Sequence, residues 1–375
     1  MTKVAVVQAN SYETQIVEQA ITELLAHIGG MSAYIQPGER VLVKPNMLEG
    51  VDKGLSVTTH PEVVRAVIRL VKSCGATVVV GDSPGLGNTL KVAEKCGILA
   101  VCREEDVAVI PFEEPTELLL PDGVILKKLM VAKVFREVDK VISLAKMKTH
   151  SFMGVTGAVK NLFGFFVGPD KAQFHLRMKR RADFAQMLVD LYGGIKPVLS
   201  IVDGIVGMEG AGPRNGQPVQ SGLLLAGTCG FAVDLVMAEI MGFKAEQMPV
   251  AQAALLAKLS PSLQELELVG SASHLRYHFK EPRNFESLEG RLPGWLVDFS
   301  QNQFTAKPKV DEHCIACGTC AAHCPPKAIK MLDGKAVIDY RECIRCYCCQ
   351  ELCPANAVSL VDGTLLKLTK RFRKH

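Results

Sequence analysis

Eight cysteines near the C-terminus fall into two runs of identical spacing, C-x2-C-x2-C-x3-C, each followed directly by proline. The runs are Cys314, Cys317, Cys320 and Cys324, and Cys343, Cys346, Cys349 and Cys353. This spacing lets three thiolates of one tight loop reach three corners of a cubane iron-sulfur cluster, while the fourth cysteine reaches another cluster. The two runs therefore predict single-electron transfer.

The segment that contains the runs resembles a bacterial two-cluster ferredoxin over about residues 305–362. This resemblance implies two 4Fe-4S clusters with crossed ligation, in which each run lends its last cysteine to the other cluster. The implied ligand sets are Cys314, Cys317, Cys320 and Cys353 for one cluster, and Cys343, Cys346, Cys349 and Cys324 for the other. A redox partner protein must then donate or accept the electrons.

Zinc sites and disulfides are the other common uses of paired cysteines. Zinc also binds paired C-x2-C units, but it takes four ligands and leaves the third cysteine of each run without a role. Disulfides need an oxidising compartment, whereas the chain begins MTKVAVVQAN with no apolar signal segment, which predicts a cytoplasmic location. Cys348 breaks the symmetry of the repeat; it either substitutes for a ligand or is only a neighbour of the cluster.

The cysteines outside the two runs have no ligand spacing, and we interpret them as small buried hydrophobic residues. They are Cys74, Cys96, Cys102 and Cys229.

A second set of reactive side chains follows the apolar runs of the first 300 residues. Ligands of open parallel sheets bind beyond the carboxyl ends of the strands. Charged groups in apolar surroundings are costly without a partner. The residues at these strand ends therefore predict an anion-binding site: they are Lys44 and Asn46, Asp82, Lys146, Lys148 and His150, and Asp203.

A glycine-rich segment at residues 154–164 contains Lys160 and Asn161 and predicts a turn before a short helix. The backbone N–H groups of such a turn, together with a lysine, suit an anion. Neither a Walker loop nor a G-x-G-x-x-G fingerprint is present, which disfavours an ordinary ATP or NAD site. A second glycine cluster at 207–213 is predicted to be a loop near the same ligand, and His60 to lie near a helix N-terminus.

The elements that must position these side chains alternate in type. Apolar runs predict strands at 4–7, 41–44, 77–80, 107–110, 141–144 and 198–202, and helical periods predict helices at 61–73, 182–192 and 232–241. Strands that are apolar throughout are covered on both faces. We therefore predict an α/β fold with a mostly parallel sheet for residues 1–300, then a small α+β ferredoxin-like domain at 305–362, with the boundary in the proline-containing stretch 280–308.

Composition excludes several function classes. The 375 residues are 48% hydrophobic and 22% charged, as in soluble two-domain proteins, and no run of about 18 apolar residues predicts a transmembrane segment. The formal net charge is +4, but two clusters with their thiolates would each add about −2, so no global attraction to nucleic acid is expected. A basic tail at 363–375 is interpreted as a solvated terminus, or alternatively as a docking patch for an acidic partner or a membrane surface.

Ordered motifs across the chain resemble the domain of unknown function 362 family. They are KPN at Lys44, TTHPE at Thr58, GDSPG at Gly81, KMKTH, VTGAVKNLFG and VDGIVGMEGAGP. The resemblance implies an iron-sulfur-binding protein, often fused to a two-cluster ferredoxin, without a settled substrate. The lysine and histidine placements also resemble, more distantly, those of nickel-pincer lactate racemases.

These observations lead to one main hypothesis, a ferredoxin-linked oxidoreductase that acts on an anionic small molecule. Its catalytic residues are His150 as acid-base group, Lys148, and Asp203 as orienting carboxylate. A flavin is a further possible cofactor, since clusters carry single electrons. The alternatives are an electron carrier whose large domain binds only a partner or regulatory anion, and a metal-dependent racemase-like enzyme. The predicted anion-binding residues are Lys44, Asn46, Lys146, Lys160 and Asn161.

Overall fold

The computed structural model describes residues 1–168, 170–178, 180–282 and 306–361. Its strands are β1 (Thr2–Gln8), β2 (Arg40–Pro45), β3 (Thr77–Asp82), β4 (Ala108–Pro111), β5 (Pro115–Leu119), β6 (Lys128–Ala132), β7 (Lys140–His150), β8 (Gly154–Thr156), β9 (Leu199–Glu209), β10 (Gln217–Gly227), β11 (Leu266–Val269), β12 (Lys307–Val310), β13 (Ile329–Leu332), β14 (Lys335–Ile338) and β15 (Val358–Val361).

Its α-helices are α1 (Thr14–Ala26), α2 (Pro61–Ser73), α3 (Thr89–Lys95), α4 (Ile98–Glu104), α5 (Ala158–Asn161), α6 (Asp170–Arg177), α7 (Arg181–Ile195), α8 (Gly230–Ile240), α9 (Pro249–Leu256), α10 (Thr319–Ala322) and α11 (Cys348–Glu351). Short 3-10 helices lie at Met31–Ala33, Lys53–Leu55, Lys133–Arg136, Leu162–Phe165, Ala245–Gln247 and Leu263–Glu265.

Nine strands form one sheet in the order β11-β1-β10-β9-β7-β2-β3-β4, with β8 paired to β7 beside this path. From β9 to β4 the neighbouring strands run parallel, whereas β10 is antiparallel to both β9 and β1. The predicted α/β fold with a mostly parallel sheet is confirmed. Small antiparallel pairs, β12 with β15 and β13 with β14, follow near the C-terminus.

Successive side chains of a strand point to opposite faces of the sheet, and helices cover both faces. Val41 and Val43 of β2 belong to the core that contains α1 and α2, whereas Leu42 between them belongs to the core that contains α7. All three side chains are completely buried. A strand that is apolar at every position fits only such a two-sided environment.

The fifth and sixth strands extend beyond their predicted ends at residues 144 and 202, and residues 207–209 of the predicted loop at 207–213 belong to β9. Lys146, Lys148 and His150 lie within β7, and residues 203–209 lie within β9. The strand continues because Ala145 and Met147 keep the two-residue period and enter one core, while the polar residues between them are buried on the other face. The sequence reading also missed β10, whose first residues are polar or exposed.

The predicted helices at 61–73, 182–192 and 232–241 correspond to α2, α7 and α8. His60 lies at the N-terminus of α2 as predicted, but it caps the helix itself, since its Nδ1 accepts from the Glu62 N–H at 3.2 Å. Part of the predicted boundary at 280–308 and the whole basic tail at 363–375 lie outside the described residues.

Candidate functional site

The two cysteine runs share one backbone conformation. Ala316 and Gly318 in the first run have left-handed φ angles of 54° and 72°, and Arg345 and Tyr347 at the equivalent positions of the second have 56° and 63°. A left-handed conformation costs a residue with a side chain about 1–2 kcal/mol. Because this conformation occurs at the same two positions of both runs, each loop turns its cysteines inward in the same way.

Around the first centre, cysteines from both runs meet. Burial raises the pKa of the Cys320 thiol, and the charges of Cys353, Cys314 and Cys317 raise it further. Cys353 belongs to the second run, so the first three cysteines of one run meet the last cysteine of the other. Metal binding deprotonates coordinating thiols, and thiols placed this close together fit a metal cluster.

The second centre shows the reciprocal exchange. Burial raises the pKa of Cys324, a cysteine of the first run, and the charges of Cys346 and Cys343 raise it further. One cavity is lined by these three residues together with Cys349. Both centres thus have the composition that the crossed arrangement requires.

Lys44, at the end of β2, forms a buried ion pair with Asp82 at the end of β3. Its Nζ lies 2.8 Å from Oδ1 of Asp82, and the two residues are 0% and 3% exposed. Burial lowers the pKa of Lys44, and the carboxylate opposes this shift. The Asn161 amide donates to the Lys44 carbonyl at 3.0 Å, so Lys44 and Asn161 are joined, but the charge of Lys44 is already balanced inside the protein.

Gly164 packs directly against this ion pair, and a methyl group there should disrupt it. A Cβ at Gly164 would overlap Oδ1 of Asp82 and lie 2.7 Å from Nζ of Lys44. We expect Gly164→Ala to lower the free energy of unfolding by about 1–3 kcal/mol, the usual cost of overpacking. Anaerobic urea denaturation measures this.

The matched control is Gly193→Ala within α7, where an added Cβ meets nothing within 4 Å. Removing a helical glycine should stabilise the protein by about 0.5–1 kcal/mol. If both variants change stability by the same amount, Gly164 does not protect the ion pair.

Asp203 in β9 accepts hydrogen bonds from several donors at once. They are Nζ of Lys146 at 2.8 Å, the Tyr12 hydroxyl at 2.9 Å, and the backbone N–H groups of His60 at 2.9 Å and Ile205 at 3.2 Å. The Tyr12 and His60 rings stack 3.6 Å apart beside an open pocket of about 500 Å³. Asp203 contacts Lys146, in keeping with its predicted orienting role, which stays a prediction.

Lys148 is buried without a counter-charge. It is 0% exposed, and its Nζ donates to Oδ1 of Asn46 and to the Val57 carbonyl, both at 2.8 Å. Among the residues that the structure describes, no carboxylate oxygen lies within 4.0 Å of it. Burial lowers its pKa well below the ordinary value, and the charges of Lys160 and Lys146 act in the same direction.

His150 meets the ferredoxin-like segment at Glu351. Its Nε2 lies 3.3 Å from Oε1 of Glu351, although the two atoms are not aligned for a hydrogen bond. Its Nδ1 accepts from the backbone N–H groups of Phe152 and Met153 at 3.0 and 3.2 Å, which assigns the proton of the neutral ring to Nε2. Burial lowers the pKa of His150 well below its ordinary value and raises that of Glu351 to about 7.

Further basic side chains surround this contact. Burial lowers the pKa of the half-buried Lys160, opposed by Glu351 and Cys348, and lowers the pKa of Lys171 to about 7 and of His175 to about 3. In the described parts of the chain, no carboxylate oxygen lies within 4.0 Å of Lys160. The region between the sheet edge and α11 is therefore rich in basic side chains whose charged forms are disfavoured by burial.

Sequence reasoning missed four residues of this region. Tyr12, Lys171 and His175 belong to no recognisable motif, and only the fold brings them to the sheet edge. Glu351 had one available signal, its position between the cluster cysteines 349 and 353.

The loop after β9 holds the ferredoxin-like segment against the sheet edge. Arg214 pairs with Glu49, with Nη2 3.0 Å from Oε1, and donates to the Cys353 carbonyl at 3.1 Å. Asn215 donates to the Gln350 carbonyl at 2.7 Å. The second cysteine run thus lies next to the polar ends of the large-domain strands.

Within the described ranges, the helices are too short or too polar to cross a membrane.

Comparison with known proteins gives two family matches. Residues 41–239 match the domain of unknown function 362 (DUF362), and residues 307–354 match the 4Fe-4S dicluster domain. A thylakoid-associated protein of Synechocystis sp. is 37% identical over 299 residues, which are 79% of this chain and 90% of that protein. The lactate racemase apoprotein from Thermoanaerobacterium thermosaccharolyticum aligns with a TM-score of 0.39 and 14% identity over 60% of this chain and 53% of that structure.

The DUF362 match spans more than half of the chain, and the dicluster match covers both cysteine runs. The predicted combination is confirmed. A 4Fe-4S ferredoxin-type domain supports iron-sulfur electron transfer. The chain belongs to the DUF362 family and carries a C-terminal 4Fe-4S dicluster domain.

Proposed function

We propose that this protein is an iron-sulfur oxidoreductase. In it, two 4Fe-4S clusters exchange electrons with an anionic small molecule or cofactor bound where the large-domain strands, residues 1–300, meet the ferredoxin-like segment, residues 305–362. The electrons come from or go to a redox partner protein, so that each electron gained by the bound molecule is one lost by the partner.

One observation carries the proposal: two lysines without close carboxylates, Lys148 and Lys160, lie at the contact between the sheet edge and α11. Buried cations without partners are unfavourable, and a bound anion would remove the imbalance. Lys44 and Lys146 support the proposal less, since Asp82 and Asp203 already balance them. The anion contacts are therefore assigned to Lys160 and the half-buried Asn46, with Lys148 behind them.

The chain's own groups have separate tasks at such a site. Lys148 fixes the Asn46 amide through its 2.8 Å hydrogen bond. Nδ2 of Asn46 donates to Oδ1 of Asn161 at 3.4 Å, which leaves its second N–H for a ligand. His150 holds its proton on Nε2, on the side of Glu351, and can act as a neutral hydrogen-bond donor. When bound, each cluster supplies or accepts one electron at a time.

A flavin phosphate could not reach Lys44, Lys146 or Lys148, which are at most 1% exposed. Among the lysines of this site it would have to bind the half-buried Lys160. No step is assigned to a flavin. Flavin absorbance in the supernatant, after anaerobically purified protein has been bleached with acid, would reverse this assignment.

The second candidate is an electron carrier whose lysines only balance the negative charge of a cluster. The observation that favours it is the electrostatic contact between Lys160 and Cys348, which lies between two cysteines of the second run. A cytoplasmic location and the racemase-like alternative stay predictions; the Synechocystis relative is described as thylakoid-associated.

Binding of inorganic phosphate and of oxalate to the anaerobic holoprotein, measured by calorimetry, tests the proposal. Lys160→Met should weaken binding of the better of these anions by about 10- to 100-fold, the loss of one charge-assisted hydrogen bond. Lys128→Met is the matched control, because Lys128 is 70% exposed and lies in the separate β5–β6 pair.

If the wild-type protein binds neither anion saturably, while Lys160→Met changes only the cluster reduction potential, the electron-carrier candidate replaces the enzyme. Equal anion affinity in both variants also contradicts the proposed contact.

A further inference from the structure

Cys348 has no place in either cysteine run, yet it belongs to a close group of metal-binding side chains. A ring nitrogen of His175, Sγ of Cys346 and Sγ of Cys348 all lie within 4.8 Å of one another. The cysteines come from the loop and first turn of α11, and the histidine comes from α6 of the large domain. The group therefore forms only where the two parts of the chain meet.

The His175 ring packs among phenylalanine rings, and its Nδ1 atom is buried. Its ring stacks on Phe184 with centroids 4.7 Å apart and contacts Phe163 at 5.8 Å and Phe152 at 6.2 Å. Its Nδ1 is buried and has no hydrogen-bond partner among the described residues. A buried polar atom without a partner costs about 1–3 kcal/mol, so its retention at this place points to a ligand that the nitrogen binds.

Two sulfurs and one imidazole nitrogen are a soft donor set, typical of zinc and neighbouring late transition metals. Around a tetrahedral zinc with Zn–S bonds of 2.3 Å, ligand atoms lie about 3.5–3.8 Å apart. The observed separations of up to 4.8 Å need to close by only about 1 Å, which side-chain rotation provides. Three protein ligands leave one coordination position open.

We propose that Cys346, Cys348 and His175 form a third metal site, beside the second cluster, for a single divalent transition-metal ion of the zinc type. Cys346 then bridges the ion and the cluster through its thiolate. The Cys348 thiol releases its proton to solvent as its sulfur binds the ion. No electron is transferred in this step.

The open coordination position of the ion could bind a small anion. The charge of Lys160 acts on both His175 and Cys348, so a ligand that enters next to them meets a positive group. A small anion can bind the ion and Lys160 together. This last point rests on the proposed function, whereas the metal site itself does not.

Zinc retention by the holoprotein tests the site. Anaerobic protein is treated with one equivalent of zinc, passed through a desalting column, and analysed for zinc, iron and sulfide. We expect about one zinc and about eight irons per chain, with zinc X-ray absorption showing sulfur at about 2.3 Å and nitrogen at about 2.0–2.1 Å. Cys348→Ser and His175→Ala should each lower zinc retention at least tenfold and leave the iron unchanged.

Cys229→Ser, a change at a half-buried cysteine outside both runs, is the control and should retain zinc. Equal zinc in the wild-type protein and Cys348→Ser overturns the site. Loss of about four irons in Cys348→Ser also overturns it, because Cys348 is then a cluster ligand. Fewer than eight irons in the wild-type protein counts against the two-cluster proposal, and the metal site is then supported only by the loss of zinc in Cys348→Ser and His175→Ala.

Discussion

Replacing Asp203 by alanine is expected to lower the free energy of unfolding by about 3–5 kcal/mol, because the change leaves a buried cation without its partner. The Asp203 carboxylate is 0% exposed, and Nζ of Lys146 lies 2.8 Å from it. The substitution also removes the acceptor of the Tyr12 hydroxyl and of the His60 N–H. Anaerobic urea denaturation followed by circular dichroism measures the loss.

The loss of unfolding free energy in Asp203→Ala should depend on pH, because it depends on the protonation of Lys146. Burial lowers the pKa of Lys146, and Asp203 is the group that opposes this shift. In Asp203→Ala the folded-state pKa of Lys146 falls further below that of the unfolded chain. Between these two pKa values the unfolded chain binds more protons, so stability rises with pH. The variant should be more strongly destabilised at pH 6 than at pH 9.

The matched control is Glu117→Ala, which breaks an ion pair of the same 2.8 Å length between residues that are 70% and 43% exposed. Exposed pairs contribute about 0–1 kcal/mol. If Asp203→Ala costs no more than this control, burial of the Lys146–Asp203 pair does not determine its contribution. A defect that grows with rising pH contradicts the role assigned to Lys146.

The sequence predicted the sheet where its signal was local. Val41–Val43 and Val78–Val80 are apolar at consecutive positions, and this pattern favours a strand covered on both faces. The antiparallel β10 escaped prediction because Gln217–Gln220 carry exposed or half-buried side chains, while only its second half is buried. Its place between β1 and β9 depends on pairing across the chain, which no local pattern encodes.

The candidate site was likewise predictable only in part. That lysines gather at the sheet edge follows from their positions after apolar runs, but their partners do not. Lys44 meets Asp82 and Lys146 meets Asp203 because β2 neighbours β3 and β7 neighbours β9. The strand order therefore determines which lysines have a carboxylate partner. From the sequence alone, all four lysines were predicted to bind an anion.

Docking of the ferredoxin-like segment could not be predicted either. The contact between His150 and Glu351, like that between Asn215 and Gln350, joins residues separated by more than 130 positions. These contacts bring the second cysteine run, rather than the first, to the sheet edge.

Iron analysis of paired cysteine substitutions is expected to give the second large effect, the loss of one or of both clusters. In the crossed arrangement Cys324 shares a centre with Cys343, and Cys320 shares one with Cys353. The double variant Cys324→Ala/Cys343→Ala damages a single centre and should retain about four irons per chain. Cys324→Ala/Cys320→Ala removes one ligand from each centre and should retain almost none.

The two double variants are each other's control, because each removes two cysteines and the same number of sulfur ligands. If each run instead held its own cluster, the outcome would be reversed, since Cys320 and Cys324 would then belong to one centre. General instability of the ferredoxin-like segment would lower the iron in both variants alike. Only the ordered result, about four irons against almost none, follows from cysteines that cross between the runs.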